Sequence, residues 1–323
     1  MTTDYLVADT VTPVRLKQLG NRPEQVHLFD QDSIDAINAA LAAQRPLLIR
    51  GEPGVGKSQL ARAAAAKLGR AFLHHVVDAH CESRDLLWRF DAVQRLAEAQ
   101  LAKELYSDKQ QIEEALRVDK FVRPGPLWWA FNWISAKRAA GGKRAYPQFD
   151  GGNPGKGCVL LIDEIDKAEM DVPNGLLEAL GDAQFTPMGC DQPVVASGVA
   201  PLVIITTNEE RALPDAFIRR CLVLHLKLEK QDDKLIEQLC RRGRAHFASN
   251  RVSDAILKEA AGLLIEDRKA AKAAQRRPLP GQAEYLDLLR AVCGRPGATD
   301  DATQTALLKK LRRFVVNKHD GAA

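Results

Sequence analysis

Short apolar runs alternate with longer segments of helical spacing along the first two-thirds of the chain. After Ser33, a residue suited to cap a helix, Ile34, Ile37 and Leu41 recur on one helical face. The run Pro46–Arg50 has the length of a buried strand and stops at Gly51, and Ser58–Leu68 is an Ala-rich stretch whose helix would end at Gly69. Further strands are expected over Phe72–Val77, Val159–Ile162, Leu202–Thr206 and Cys221–Leu226. Strands that alternate with helices predict an α/β fold, a mostly parallel sheet covered on both faces. Beyond residue 228 the pattern changes. Ile236 and Leu239, then Ile256–Leu264, Tyr285–Val292 and Ala306–Val316, keep helical spacing only, which predicts a small all-helical C-terminal domain. The expected organisation is an N-terminal arm over 1–31 punctuated by Pro13 and Pro23, an α/β domain over 32–228, and a helical domain over 229–323. A long insertion between Arg84 and Gly157 is expected to contain helices and to end in a glycine-rich loop, Gly151–Gly157.

Composition narrows the classes. With 323 residues and 46% apolar content the chain can bury a sizeable core, which argues against disorder and fibrous repeats. Lys and Arg number 46 against 42 Asp and Glu, a net charge of +4 that predicts neither nucleic-acid nor membrane binding. Cysteines at 81, 158, 190, 221, 240 and 293 form no Cys-x-x-Cys pair and no disulfide framework, and read as reduced thiols of a cytosolic protein. No segment resembles a secretory leader, and no run approaches 18 uninterrupted apolar residues.

Candidate chemistry begins where the first strand stops. Gly51-Glu52-Pro53-Gly54-Val55-Gly56-Lys57-Ser58 fits G-x-x-x-x-G-K-[ST] between a predicted strand and a predicted helix. The glycines let backbone N–H groups turn inward around phosphate oxygens, and the following helix offers its positive end. Lys57 is expected to reach the β- and γ-phosphates, and Ser58 to ligate Mg²⁺. A second strand, Val159–Ile162, ends in Asp163 and Glu164, carboxylates suited to holding Mg²⁺ and to activating water as a general base. A third, Leu202–Thr207, ends in Asn208, suited to orienting that water or simply to a turn. Arg219 and Arg220 close a short helical segment from Leu213, and a planar guanidinium suits developing phosphoryl charge.

Together these residues resemble an AAA+ ATPase, and within that class the MoxR-like group. Gly51–Ser58, Asp163–Glu164, Asn208 and Arg219–Arg220 follow that family's order of Walker A, Walker B, sensor 1 and arginine finger. Phe121–Leu127, with its Gly125-Pro126 step, Asp163–Ala168 and Leu176–Leu180 fit as well. The resemblance implies a P-loop α/β domain with a helical lid, assembled in a ring of usually six subunits with ATP and Mg²⁺ at each interface. It implies Arg220 as the finger that reaches the neighbouring subunit, with Arg219 beside it. It also implies a client or adaptor protein, commonly one with a von Willebrand factor A domain. Two departures stand out: Asp166 occupies a position where MoxR-like proteins more often carry Asn, and Gly281–Leu286 lacks the lid's sensor 2 arginine, for which Arg276 or Arg277 could substitute. The clade's helix-2 insertion is expected within Leu87–Leu96.

Other signals carry less. Trp129 and Trp133, four residues apart with Phe131 and Ile134 nearby, predict a buried helix, as does Trp128. His74 and His75 alternate across a strand and make a zinc site with His80 and Cys81 improbable. Arg241, Arg242, Arg244 and Lys309–Arg313 are expected on solvated helix faces, because no aromatic stacking platform accompanies them. The competing functional readings are a nucleic-acid-directed NTPase, related to GTP-using restriction enzymes or clamp loaders, and a nucleotide-gated assembly module of a bacterial conflict system.

Overall fold

The computed structural model describes residues 5–18, 24–106, 108–141, 151–169 and 171–315. Pro23 and Val316, which belong to the expected arm and last helix, lie outside them.

A five-stranded sheet carries the fold. Its strands are β1 (Leu47–Arg50), β2 (Arg70–Val76), β3 (Asn153–Asp163), β4 (Leu202–Thr207) and β5 (Leu222–His225), in the order β5-β1-β4-β3-β2. β3 pairs in parallel with both neighbours, with Leu202 opposite Val159 on one side and Phe72 opposite Val159 on the other. Val159–Ile162 and Leu202–Ile205 are buried, as expected of central strands covered on both faces. Helix α1 (Gln31–Ala43) precedes β1, and α2 (Lys57–Leu68) follows it and ends at Gly69, whose φ of +63° is the left-handed cap its position predicts.

β3 starts earlier than its apolar run indicates. The expected loop Gly151–Gly157 is strand from Asn153 onward: Asn153 donates its N–H to Gly69 O and lies opposite Arg70, and the register shifts between Arg70 and Ala71. Glycine and proline hide a strand from pattern reading because glycine has no side chain to alternate and proline, which lacks an N–H for the ladder, argues against a strand.

The insertion holds a two-stranded ribbon, Trp88–Phe90 against Val122–Pro124, around α3 (Ala92–Leu105) and α4 (Lys109–Ala115). After it come α5 (Pro126–Phe131) and α6 (Trp133–Ala139). One buried helix was expected here. Two form, because Asn132 leaves helical geometry and its side chain caps Ser135 N–H at 3.0 Å. Trp128 and Trp129 are buried, their neighbour Trp133 packs edge-on against Trp129, and Ile134 is exposed. Helix α7 (Asp171–Asp182) packs on the same core, and α8 (Asp215–Arg220) leads into β5.

The C-terminal segment is helical, as its spacing predicts: α9 (Asp232–His246), α10 (Asp254–Ala273), α11 (Gln282–Cys293) and α12 (Asp301–Val315). Leu239, Leu264, Tyr285 and Leu288 are the centre of its core. Two residues of the basic clusters are not on solvated faces. Arg242 is buried and donates to Leu28 O at 2.7 Å, and Arg312 makes a two-pronged pair with Asp267 at 2.6 and 2.7 Å. A guanidinium can be buried this way when its donors find fixed oxygens.

By compactness the chain divides into two units. One draws on Met1–Val7, Ile34–Leu48 and Ala64–Leu224, the other on Ala8–Ser33, Ile49–Ala63 and His225–Ala323. The second thus gathers the phosphate loop, the helical segment and part of the expected arm, where Val14–Leu16 and Gln25–His27 form an antiparallel ribbon. No helix among the described residues is long and apolar enough to cross a membrane.

Candidate functional site

Two constellations contain the residues the sequence singles out, one in each unit.

The first lies at the ends of β3 and β4. Parallel pairing sets Ile205 opposite Ile162, so the next residues along, Thr206 and Asp163, are neighbours. Thr206 Oγ1 donates a short hydrogen bond to Asp163 Oδ1 and accepts from Glu164 N–H at 3.0 Å. A single hydroxyl thus uses its donor on one acid and an acceptor lone pair on the other's backbone. On the opposite side, His74 lies two residues diagonally from Asp163 on the same face of the sheet, and its Nε2 is 3.2 Å from Asp163 Oδ2. Both His74 and Thr206 are buried. Asp163 is held at both carboxylate oxygens.

Glu164 sits where the strand turns into a short 3₁₀ segment, with φ of +62°, a left-handed conformation that non-glycine residues adopt at a cost of about 1–3 kcal/mol. Its Oε1 is 3.5 Å from Asn208 Nδ2, and its Oε2 pairs with Lys167 Nζ at 2.5 Å. That hydrogen bond holds the Lys167 ammonium above the usual lysine range. Asp166, the departure from the MoxR-like pattern, is buried and accepts from Asn208 N–H at 3.3 Å and Glu210 N–H at 3.0 Å. Two acceptor oxygens match two donors, so aspartate pins the loop that carries Asn208 where asparagine could satisfy only one of them.

Arg219 and Arg220 end α8 with both side chains exposed, anchored by buried Phe217. Arg45 Nε donates to Arg220 O at 3.0 Å and its Nη2 makes a short bond to Arg219 O. These are the carbonyls a helix end leaves without partners.

The second constellation is the phosphate loop. Gly51 is indispensable there, because a Cβ would come within 2.4 Å of Leu226 O. Gly56 has φ of +102°, a left-handed conformation that favours glycine, although a Cβ there would meet nothing nearer than 3.9 Å. Lys57 is buried and its Nζ donates to Gly51 O at 2.6 Å and Glu52 O at 3.1 Å. Helix α2 begins at Lys57, with its N-terminal N–H groups at the loop. The glycine-formed cradle fits a phosphate chain, and the hydroxyl of Ser58 beside it is a hard oxygen donor of the kind Mg²⁺ takes.

The sequence weighs His74 only as a discounted zinc ligand and singles out neither Thr206, Lys167 nor Arg45. Two carry a visible signal, a polar residue within an otherwise apolar strand. Lys167 and Arg45 carry none, since their partners depend on how a loop and a distant helix end are placed. Arg276 and Arg277 are exposed in the turn after α10, and Arg268 of α10 reaches the loop, its Nη2 pairing with Glu52 Oε2 at 2.6 Å. Among the described residues no group of three or more His, Cys, Asp or Glu side chains is arranged to hold a metal by itself. All six cysteines are free thiols, and burial pushes Cys158 and Cys221 up to about 12 and Cys81 to about 11.

The chain is similar to several known proteins. The chain is 26% identical over 266 residues to chaperone protein ClpB 1 of Synechocystis sp., covering 75% of this chain and 23% of that protein, so it spans about a quarter of the length of this relative. A crystal structure of a Cytophaga hutchinsonii protein with a provisional ATPase assignment aligns over 88% of this chain and 80% of that one, at 15% identity and a TM-score of 0.37, too low to bear on the site. Residues 46–221, more than half of the chain and the whole span from β1 to the end of α8, match the model of the AAA domain, dynein-related subfamily, and the chain belongs to that family of AAA+ ATPases.

Proposed function

We propose that the chain is a MoxR-like member of the family, a ring-forming ATPase that binds Mg·ATP at Gly51–Ser58 and uses its hydrolysis to remodel a partner protein in the cytosol. The observation that carries this reading is the acidic pair after β3: Asp163 fixed from both sides by Thr206 and His74, and Glu164 turned outward by its left-handed backbone within reach of Asn208. Ser58 and Asp163 would hold Mg²⁺, which screens the phosphate charge when bound. Lys57 binds the β- and γ-phosphates as a point charge. Asn208 orients a water and Glu164 accepts its proton as the oxygen bonds to the γ-phosphorus and the bond to the β-phosphate oxygen breaks, giving ADP and phosphate. Lys167 pairs with Glu164 Oε2. Arg220 reaches the neighbouring subunit's nucleotide, backed by Arg219, and Arg45 steadies both. Arg277 or Arg276 would stand in for the missing sensor 2 arginine. The match to a protein named a chaperone supports a protein client, with a von Willebrand factor A protein the kind expected from the MoxR-like pattern.

The test compares turnover and solution mass for wild type, Lys57→Ala, Glu164→Gln and Arg220→Ala. Glu164→Gln is expected to keep nucleotide and assembly and to lose hydrolysis, and Lys57→Ala to lose binding. Undiminished turnover in Glu164→Gln removes the assigned base. Adding Lys57→Ala subunits to Arg220→Ala should restore some activity, because the former donate an intact Arg220. Absence of rescue at every mixing ratio refutes a finger acting between subunits.

A further inference from the structure

Helix α7 turns an acidic stripe to solvent beside an apolar hollow. Gly175, Glu178 and Asp182 recur at i, i+3 and i+7, on one side of the helix, and form a wall of an open groove of about 420 Å³. Clefts of that size are large enough to hold a ligand. The groove lies wholly within the first compact unit, and none of its lining residues is assigned to nucleotide above. Local geometry builds it. A Cβ on Gly175 would come within 2.6 Å of Ser83 Cβ, so glycine lets α7 approach the turn Ser83–Leu86 and sets Leu87 into the lining. At the other end Ala183 takes φ of +51°, the left-handed position that glycine usually fills after a helix. Its carbonyl accepts from Ala196 N–H at 2.8 Å, which fixes the reversal into Gln184–Phe185 and its antiparallel partner Val194–Val195. Phe185 lines the groove while its ring packs on Trp128 and Phe131, with centroids 5.9 and 6.2 Å away.

Charge in this groove is unbalanced. Glu178 and Asp182 are exposed and one helical turn apart. Among the described residues neither side chain makes a hydrogen bond or ion pair, and no Lys, Arg or His lines the groove. Both acids also stand toward the C-terminal end of α7, where a helix carries partial negative charge, and the last turn holds no basic residue to offset it. We propose that the groove is a docking site for a segment of a partner protein in which an arginine or lysine neighbours an aliphatic or aromatic residue. The apolar side chain packs on Phe185 and Leu87, and the cation bridges Glu178 and Asp182, as a residue with an apolar stem and a charged tip can. The same acids and helix end repel a phosphate backbone or an acidic segment, so charge sorts the partners. The proposal rests on the reading above only in taking the partner to be a protein, and it needs no nucleotide.

Arrays of short peptides that set Leu, Phe or Ser beside Arg, Lys, Gln or Glu in every combination test this. They are probed without nucleotide by the full chain as wild type, Glu178→Gln/Asp182→Asn and Glu178→Lys/Asp182→Lys. Wild type should retain the peptides that join Arg or Lys to Leu or Phe. In solution, by fluorescence anisotropy, the neutral double variant should bind the best of them about fivefold more weakly, through loss of both exposed charge contacts. The charge-reversed variant should instead retain peptides that join Glu to Leu or Phe. Retention of nothing by wild type, retention of Arg and Lys peptides whatever their neighbour, or an unchanged pattern in the charge-reversed variant overturns the proposal. So does wild-type self-association that charge reversal abolishes, which makes a second copy the occupant. If the charge-reversed variant does not fold, as judged by melting, the neutral variant decides by the same loss of affinity. Turnover of Glu164→Gln and Lys57→Ala decides the ATPase reading separately, because peptide retention uses neither residue.

Discussion

Thr206 is one methyl-for-hydroxyl exchange from valine, and that exchange isolates the bond that organises the acidic pair. Thr206→Val keeps the volume of a fully buried strand residue and removes two interactions, the donor to Asp163 Oδ1 and the acceptor for Glu164 N–H. A hydrogen bond to a charged group contributes about 1.5–3 kcal/mol, and a buried N–H left unpaired costs about 1–3 kcal/mol. Asp163 retains His74 on its other oxygen, and the partly buried Glu164 N–H can recover some solvation, so we expect a net loss of about 3 kcal/mol, within a range of about 2–4. Urea unfolding followed by tryptophan fluorescence reads it, since Trp128 and Trp129 lie in the same apolar core as Ile162 and Ile205. Thr206→Ser is the control: it keeps the hydroxyl and loses one methyl, at about 1 kcal/mol. If Thr206→Val falls within about 0.5 kcal/mol of wild type, the spread of ordinary neutral substitutions, the network does not hold the pair and the reasoning is refuted.

Three further outcomes follow from the geometry. Arg45→Ala releases the carbonyls of Arg219 and Arg220, so turnover should drop toward that of Arg220→Ala with nucleotide affinity unchanged; unaltered turnover would show that the helix end needs no such clamp. His27 is buried with neither ring nitrogen hydrogen-bonded, and burial first, then the charges of Arg242 and His246, lower its pKa to about 3. Folded His27 thus binds fewer protons than unfolded His27 between pH 6.5 and 3, so stability falls with pH from 6.5 downward, by about 1 kcal/mol between pH 7 and 5.5. His27→Phe, which can keep the edge contact with Phe29, should remove that part of the pH dependence in denaturation curves, and an unchanged slope would exclude His27 as its source. Buried Cys158 and Cys221, with thiols pushed up to about 12, should resist a thiol reagent at pH 8 in the native state and react on unfolding, and rapid native labelling would contradict their burial.

Much of this was legible along the chain, and for one physical reason. Central strands of a parallel sheet are covered on both faces, so Leu47–Ile49, Val159–Ile162 and Leu202–Ile205 are apolar without interruption, and each is followed by the residue types that phosphate chemistry requires. The glycines of the phosphate loop are written into the sequence because a Cβ at Gly51 has no space. The helical end was legible too, since its apolar positions recur every three or four residues. Reading failed where the signal is a missing side chain, as in the glycine-rich start of β3, and where one asparagine cap divides a tryptophan-rich segment into α5 and α6.

What tertiary structure alone decided is the pairing of polar groups far apart in sequence. His74 and Thr206 are ordinary strand residues until parallel register sets them on either side of Asp163. Arg45 gains its role only because its strand neighbour brings the end of α8 within reach. Arg242, Arg268 and Arg312 resemble any surface arginine until a carbonyl or carboxylate is fixed opposite them. A hydrophobic residue announces its burial by its own chemistry, but a charged one is defined by its partner, and the partner is chosen by the fold.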